Sequence, residues 1–223
     1  MELLHINTAR VIWAMHISDL NPRGRNLDSL LKWLVSRYKF EKYPASSHLE
    51  DQSTGYVFAT GSFSRGQPED DNVYVDLTIF NDGVVANTRS STKDTEAFLF
   101  EAITLAAAEV HLVFRPEMIW KKLYLSEIDV RMDKPLTLLN PRLKAFAERI
   151  SVLQGNVPPI TYDLTSIVIP PDPSLQQWRP SQFQLERRLN LPASQNRYYS
   201  AAPVQTDDHL ELLKLFEDNI LVG

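Results

Sequence analysis

Residues 72–113 constrain this chain most, because they spell a β-hairpin that runs straight into a helix. In the first part, Val73, Val75, Leu77 and Ile79 alternate with Tyr74, Asp76, Thr78 and Phe80, the two-residue period of a strand with one buried face. Asp82-Gly83 is the expected reversal, supplying the positive backbone dihedrals of a tight turn into Val84-Val-Ala-Asn-Thr-Arg89. Ser91 and Asp94 then form a capping pair for a helix expected to run to about Val113. Its apolar positions include Phe98, Leu99, Ala102, Ile103, Leu105 and Ala106, a stripe wider than a surface helix needs. The helix is therefore expected to lie across the sheet and close its apolar side.

The other elements fall around this unit. Residues 3–17 read as a strand with Val11, Trp13, Met15 and Ile17 on one face. Leu27, Leu30, Leu31, Leu34, Val35 and Tyr38 mark an amphipathic helix, and 55–63 return to strand pattern. The acidic segment 64–72 reads as a solvated loop. Further strands are expected at 123–132 and 160–169, separated by a helix that starts at Asn140-Pro141 with Leu143, Phe146, Ala147 and Ile150 as its apolar positions and Gly155 at its end. Pro170-Pro171-Asp172-Pro173 should be extended, 183–190 should hold a short strand, and 190–205 reads as irregular. A last helix begins at Thr206 and buries Leu210, Leu213, Phe216 and Ile220, with Asp207 and Asp208 in the turn where the helix dipole favours anions. A tight hairpin between consecutive strands excludes an all-parallel sheet, so the expected class is α+β, a mainly antiparallel sheet with helices packed on one face. Residues 1–170 are expected to form the core, and 171–223 to supply a proline-rich connection, an aromatic and arginine segment and a helix that packs on it.

Composition narrows the chemistry. A chain of 223 residues that is 43% hydrophobic can bury a substantial core, which excludes a wholly disordered protein. The net charge of -5 argues against a protein whose main task is to coat nucleic acid. Cysteine is absent, so disulfides, thiolate nucleophiles and cysteine metal sites are excluded and a reducing compartment is expected. The first residues carry no basic leader and no apolar run reaches the roughly 20 residues of a membrane span, so a cytoplasmic protein is expected. Seven glycines stand against fourteen prolines, and no glycine-rich phosphate motif occurs, which leaves no cofactor to expect.

Four groups of residues could carry chemistry. Asp207, Asp208, His209 and Glu211 include pairs at helical ligand spacing, but capping explains the aspartates without a metal. Ser200 and five histidines include the elements of a nucleophile and base, yet no nucleophile elbow is present, so no catalytic residue is assigned. Asp76 with Glu127 and Asp129 would converge if their strands were neighbours, or would be ordinary acids of a wet sheet face. The strongest signal is Trp178, Arg179, Phe183, Arg187, Arg188, Arg197, Tyr198 and Tyr199, since guanidinium forks beside aromatic faces serve phosphate and base contacts as well as protein interfaces. The same rings would alternatively fill the core under the tail. The functional expectation is a non-catalytic protein-interaction module, a subunit or adaptor with a protein partner or self-association; the alternative is a nucleic-acid- or nucleotide-binding protein, extending to a metal-dependent phosphodiester enzyme.

Overall fold

The computed structural model describes residues 1–24, 28–44, 55–64, 66, 72–154, 162–174, 179–219 and 221. Part of the acidic segment 64–72, together with Leu27, Gly155, Ile160, Trp178 and Ile220, lies outside the described residues. In chain order the elements are β1 (Glu2–Ala14), α1 (Ile17–Leu20), α2 (Asp28–Tyr38), β2 (Tyr56–Ser64), β3 (Asn72–Phe80), β4 (Gly83–Thr88) and α3 (Thr92–Glu109). They continue with β5 (Lys121–Arg131), α4 (Pro141–Gln154), β6 (Ser166–Ile169), β7 (Phe183–Arg187), β8 (Arg197–Ala202) and α5 (Thr206–Asn219). The fold is α+β, with an eight-stranded antiparallel sheet in the order β2-β3-β4-β1-β5-β8-β7-β6. Two compact units form: one holds Met1–Ile6, Glu127–Pro203 and Asp207–Gly223, the other Asn7–Ser126 and Val204–Thr206. Strands β1 and β5 are each divided between these units.

The larger unit is built on the hairpin and its helix. Val75 pairs with Thr88, Leu77 with Ala86 and Ile79 with Val84, which puts the small and branched side chains of both strands on one face. Phe98, Leu99, Ala102 and Ile103 of α3 pack there with Val11 and Trp13 of β1 and with Leu31, Leu34 and Tyr38 of α2. The α3 cap is formed as its sequence predicts: Ser91 Oγ accepts the Asp94 N–H at 3.1 Å, and Asp94 Oδ2 accepts the Ser91 N–H at 3.2 Å. The helix ends at Glu109, short of Val113, where His111 turns into the left-handed region at φ 60°. The other face of β3 is wet, with Tyr74 72% exposed.

The reversal departs from expectation in one respect. Its two residues are Asn81 and Asp82, and Gly83 is the first residue of β4, paired with Phe80 and with Ala14. None of the three has a positive φ. What demands glycine is a close approach, since a Cβ at position 83 would stand 2.5 Å from the backbone oxygen of Trp13. Carbonyls of the turn also accept from the chain just after β1, Asp82 O from Met15 N–H and Asn81 O from Ile17 N–H, each at 3.0 Å. Gly83→Ala is therefore expected to cost about 1–3 kcal/mol by overpacking against backbone that cannot swing aside. Urea denaturation checks this, and an unchanged midpoint would show that β1 moves freely.

The smaller unit closes around Ile128, Val130, Met132, Leu136, Leu185, Tyr198, Leu213 and Leu221. Its strand β8 occupies a stretch expected to be irregular. In Arg-Tyr-Tyr-Ser-Ala-Ala, Tyr198, Ser200 and Ala202 point inward, yet serine and alanine carry little strand preference, so pairing with β7 decides the conformation.

Candidate functional site

The predicted arginine and aromatic segment resolves into separate roles. Tyr198 is 1% exposed and belongs to the core, its hydroxyl accepting the Leu136 N–H at 2.9 Å. Tyr199 donates to Glu127 at 3.0 Å and lies under the Arg188 guanidinium, 5.0 Å from carbon to ring centre. Arg188 binds Asp129 at 2.5 Å, and Arg187 reaches Asp163 at 3.5 Å. Arg179 is exposed and donates to the Pro171 carbonyl at 3.1 Å. Arg197 lines a shallow cleft of about 530 Å³ with Leu4, Arg131, Ser194 and Gln195. The structure thus brings Arg188 and Tyr199 together, each already engaged by an acid of β5, and places Arg179, Arg187, Arg197 and Tyr198 apart from that pair.

Burial, and then the nearby Glu127 carboxylate, push the Tyr199 phenol up to about 12 from its ordinary 10.0. Tyr38, Tyr124 and Tyr198 are also raised, burial being the first cause in each. These phenols hold their protons more tightly folded than unfolded, so the unfolded chain releases protons first as pH rises. Stability is expected to be untouched below the ordinary tyrosine range and to fall from about pH 10 upward. Absorbance titration checks it: four of the eight tyrosines should ionise late, and for Tyr199→Phe the late step should shrink.

Ser200 and His209 do meet. Oγ lies 2.9 Å from Nε2, and both residues are fully buried. Ser200 Oγ, however, spends its one proton on the Gln184 carbonyl at 2.9 Å, so the histidine Nε2 must be the donor between them. That is the reverse of a base taking a proton from serine. The pair ties β8, β7 and α5 together.

The acids separate as well. Asp76 accepts the Thr60 N–H at 2.8 Å within the larger unit, whereas Glu127 and Asp129 are held by Tyr199 and Arg188 in the smaller one. In the strand order β4 and β1 stand between β3 and β5. Among the described residues no three histidine, aspartate or glutamate side chains cluster as metal ligands. No helix among them is long and apolar enough to cross a membrane.

The surface that stands out lies on α4. Asn140 Oδ1 accepts the Arg142 N–H at 2.9 Å and so caps the start of the helix. Among the described side chains of α4 only Ala147 is buried, and Ser151 Oγ beside it accepts the Tyr162 N–H at 3.2 Å. Leu143, Phe146, Ile150 and Leu153 follow one another at steps of three and four, the spacing that aligns side chains in a helix seam. Here most of the seam faces outward: Leu143 is 42%, Phe146 63% and Leu153 70% exposed, while Ile150 is half-buried. At 100° per residue, Arg142 and Arg149 fall along the outer flank of this ridge, and Ala147 along the inner one. The periodicity of this helix is legible in the sequence; which stripe would be left uncovered is not. No protein-family model matches this chain, and no curated protein does.

Proposed function

We propose that this protein is a non-catalytic interaction module, a subunit or adaptor of a larger assembly in a reducing compartment, and that α4 is its principal contact. The observation that supports this reading is the outward apolar ridge of Leu143, Phe146 and Leu153, with Ile150 half-buried along it, since soluble proteins rarely leave such a stripe open unless a partner covers it. Its spacing fits an amphipathic helix better than a flat surface. Charge selects among helices. Arg142 and Arg149 flank the ridge, so an antiparallel second copy would set arginine against arginine, while a helix with acidic flanks would be drawn in. The partner is therefore a different protein that offers an acidic amphipathic helix.

A photo-activated cross-linker placed at position 146 of the intact protein tests this. The expected product joins it to a segment with apolar residues at steps of three and four and glutamate or aspartate beside them. Cross-links to a second copy alone, or none at all, would overturn the proposal.

A further inference from the structure

The larger unit carries a cleft of about 500 Å³ on the uncovered face of its sheet, and the α4 ridge contributes nothing to it. Arg10, Asn87 and Asp76 form a line across it, because Asn87 of β4 pairs with Arg10 of β1 on one side and with Asp76 of β3 on the other. One pleat further along, Tyr74 and Arg89 face the same way and also line the cleft. The groups in the line are held in position. Arg10 donates its Nε hydrogen to Asn87 Oδ1 at 2.7 Å, which fixes the plane of the guanidinium. Asp76 Oδ1 accepts the backbone N–H of Thr60 at 2.8 Å.

Thr60 has an unusual backbone. Its φ of 57° lies in the left-handed region, a costly conformation for a β-branched residue, and it sits where the β2 register slips between Phe58 and Gly61. Such bulges re-aim groups beside binding sites. A sheet face that served only solubility would need charged side chains but not this distortion, whose result is a backbone donor turned onto one carboxylate.

Two guanidinium groups against one carboxylate select an anionic ligand, and paired arginines match the several oxygens of a phosphate. Asp76 disfavours a second negative charge, so the rest of the ligand must offer N–H or O–H donors. The exposed ring of Tyr74 offers a flat apolar face for stacking. We infer that the cleft binds a nucleoside monophosphate unit, with its phosphate on Arg10 and Arg89, its base against Tyr74, and a sugar hydroxyl or base N–H donated to Asp76. Such a unit comes either from a free nucleotide or from a single-stranded oligonucleotide.

Calorimetric titration of the intact protein with adenosine monophosphate, adenosine, inorganic phosphate and a short oligoadenylate decides the matter. Adenosine monophosphate should bind saturably and at least about tenfold more tightly than adenosine or phosphate alone. Arg89→Glu and Tyr74→Ala should each weaken it by about tenfold or more while leaving the melting temperature in place, since both side chains are exposed. Oligoadenylate binding more tightly than the mononucleotide would assign the source as nucleic acid, and equal or weaker binding would assign it as free nucleotide. Absence of saturable binding at millimolar mononucleotide, equal affinity for phosphate alone, or indifference to Arg89→Glu would overturn the assignment.

Discussion

Replacing Phe98 by alanine is expected to destabilise the larger unit by about 3–5 kcal/mol, the range for emptying a fully buried aromatic site. Phe98 is 0% exposed, and its ring meets Tyr38 edge-on at 5.0 Å and Phe63 at 5.7 Å. The loss thus includes two aromatic contacts besides the transfer of the ring itself. Neighbouring rings cannot slide in to fill the space, because Tyr38 is tied through its hydroxyl to Glu101 at 3.2 Å and Phe63 is fixed in β2. Phe100, on the opposite side of the same helix and 51% exposed, is the control, with an expected cost below about 1 kcal/mol. Urea denaturation of both variants separates a packing effect from a change in helix propensity, which the two substitutions share. A loss below 1 kcal/mol at Phe98 would mean that α3 does not anchor this core.

Phe146→Asp combined with Leu153→Asp is expected to weaken partner binding at least a hundredfold while barely moving the melting temperature. The two side chains are 63% and 70% exposed, so little folding energy rests on them. Anchors buried at the centre of an interface typically cost about 2 kcal/mol or more each when removed, and about 1.4 kcal/mol is a factor of ten. The new carboxylates would also confront the acidic flanks of the proposed partner. Affinity is read against the segment captured from position 146, with circular dichroism as the control for folding. Arg142→Glu with Arg149→Glu should act mainly on the association rate and its salt dependence, because rim charges steer encounter more than they hold the complex. A partner that binds the double aspartate variant undiminished would remove α4 as the contact.

The residues that proved legible in sequence are those whose conformation is set by their near neighbours. Ser91 and Asp94 cap α3 whatever lies beyond it, and the alternation of Val73, Val75 and Leu77 fixes which face of β3 is dry. Other positions are governed from far away. Gly83 resembles a turn glycine, yet its requirement comes from Trp13, seventy positions earlier. Strand β8 is made by pairing with β7, which overrides the weak preferences of Ser200 and the alanines after it. The arginine and tyrosine segment has the composition of a binding surface, but Glu127, Asp129 and Asp163 engage Tyr199, Arg188 and Arg187 from within the same unit.

By itself the sequence determined the class of the fold, the hairpin and its capped helix, and the exclusion of cysteine chemistry, since these depend on periodicity, local hydrogen bonding and composition. Tertiary structure alone decided which apolar stripe stays uncovered on α4, which charges are already neutralised, and which side chains share the cleft of Arg10, Asn87 and Asp76. The physical reason is that burial and ion pairing are relations between distant segments. A strand or helix carries its own period, but only its neighbours in space determine which of its faces meets water.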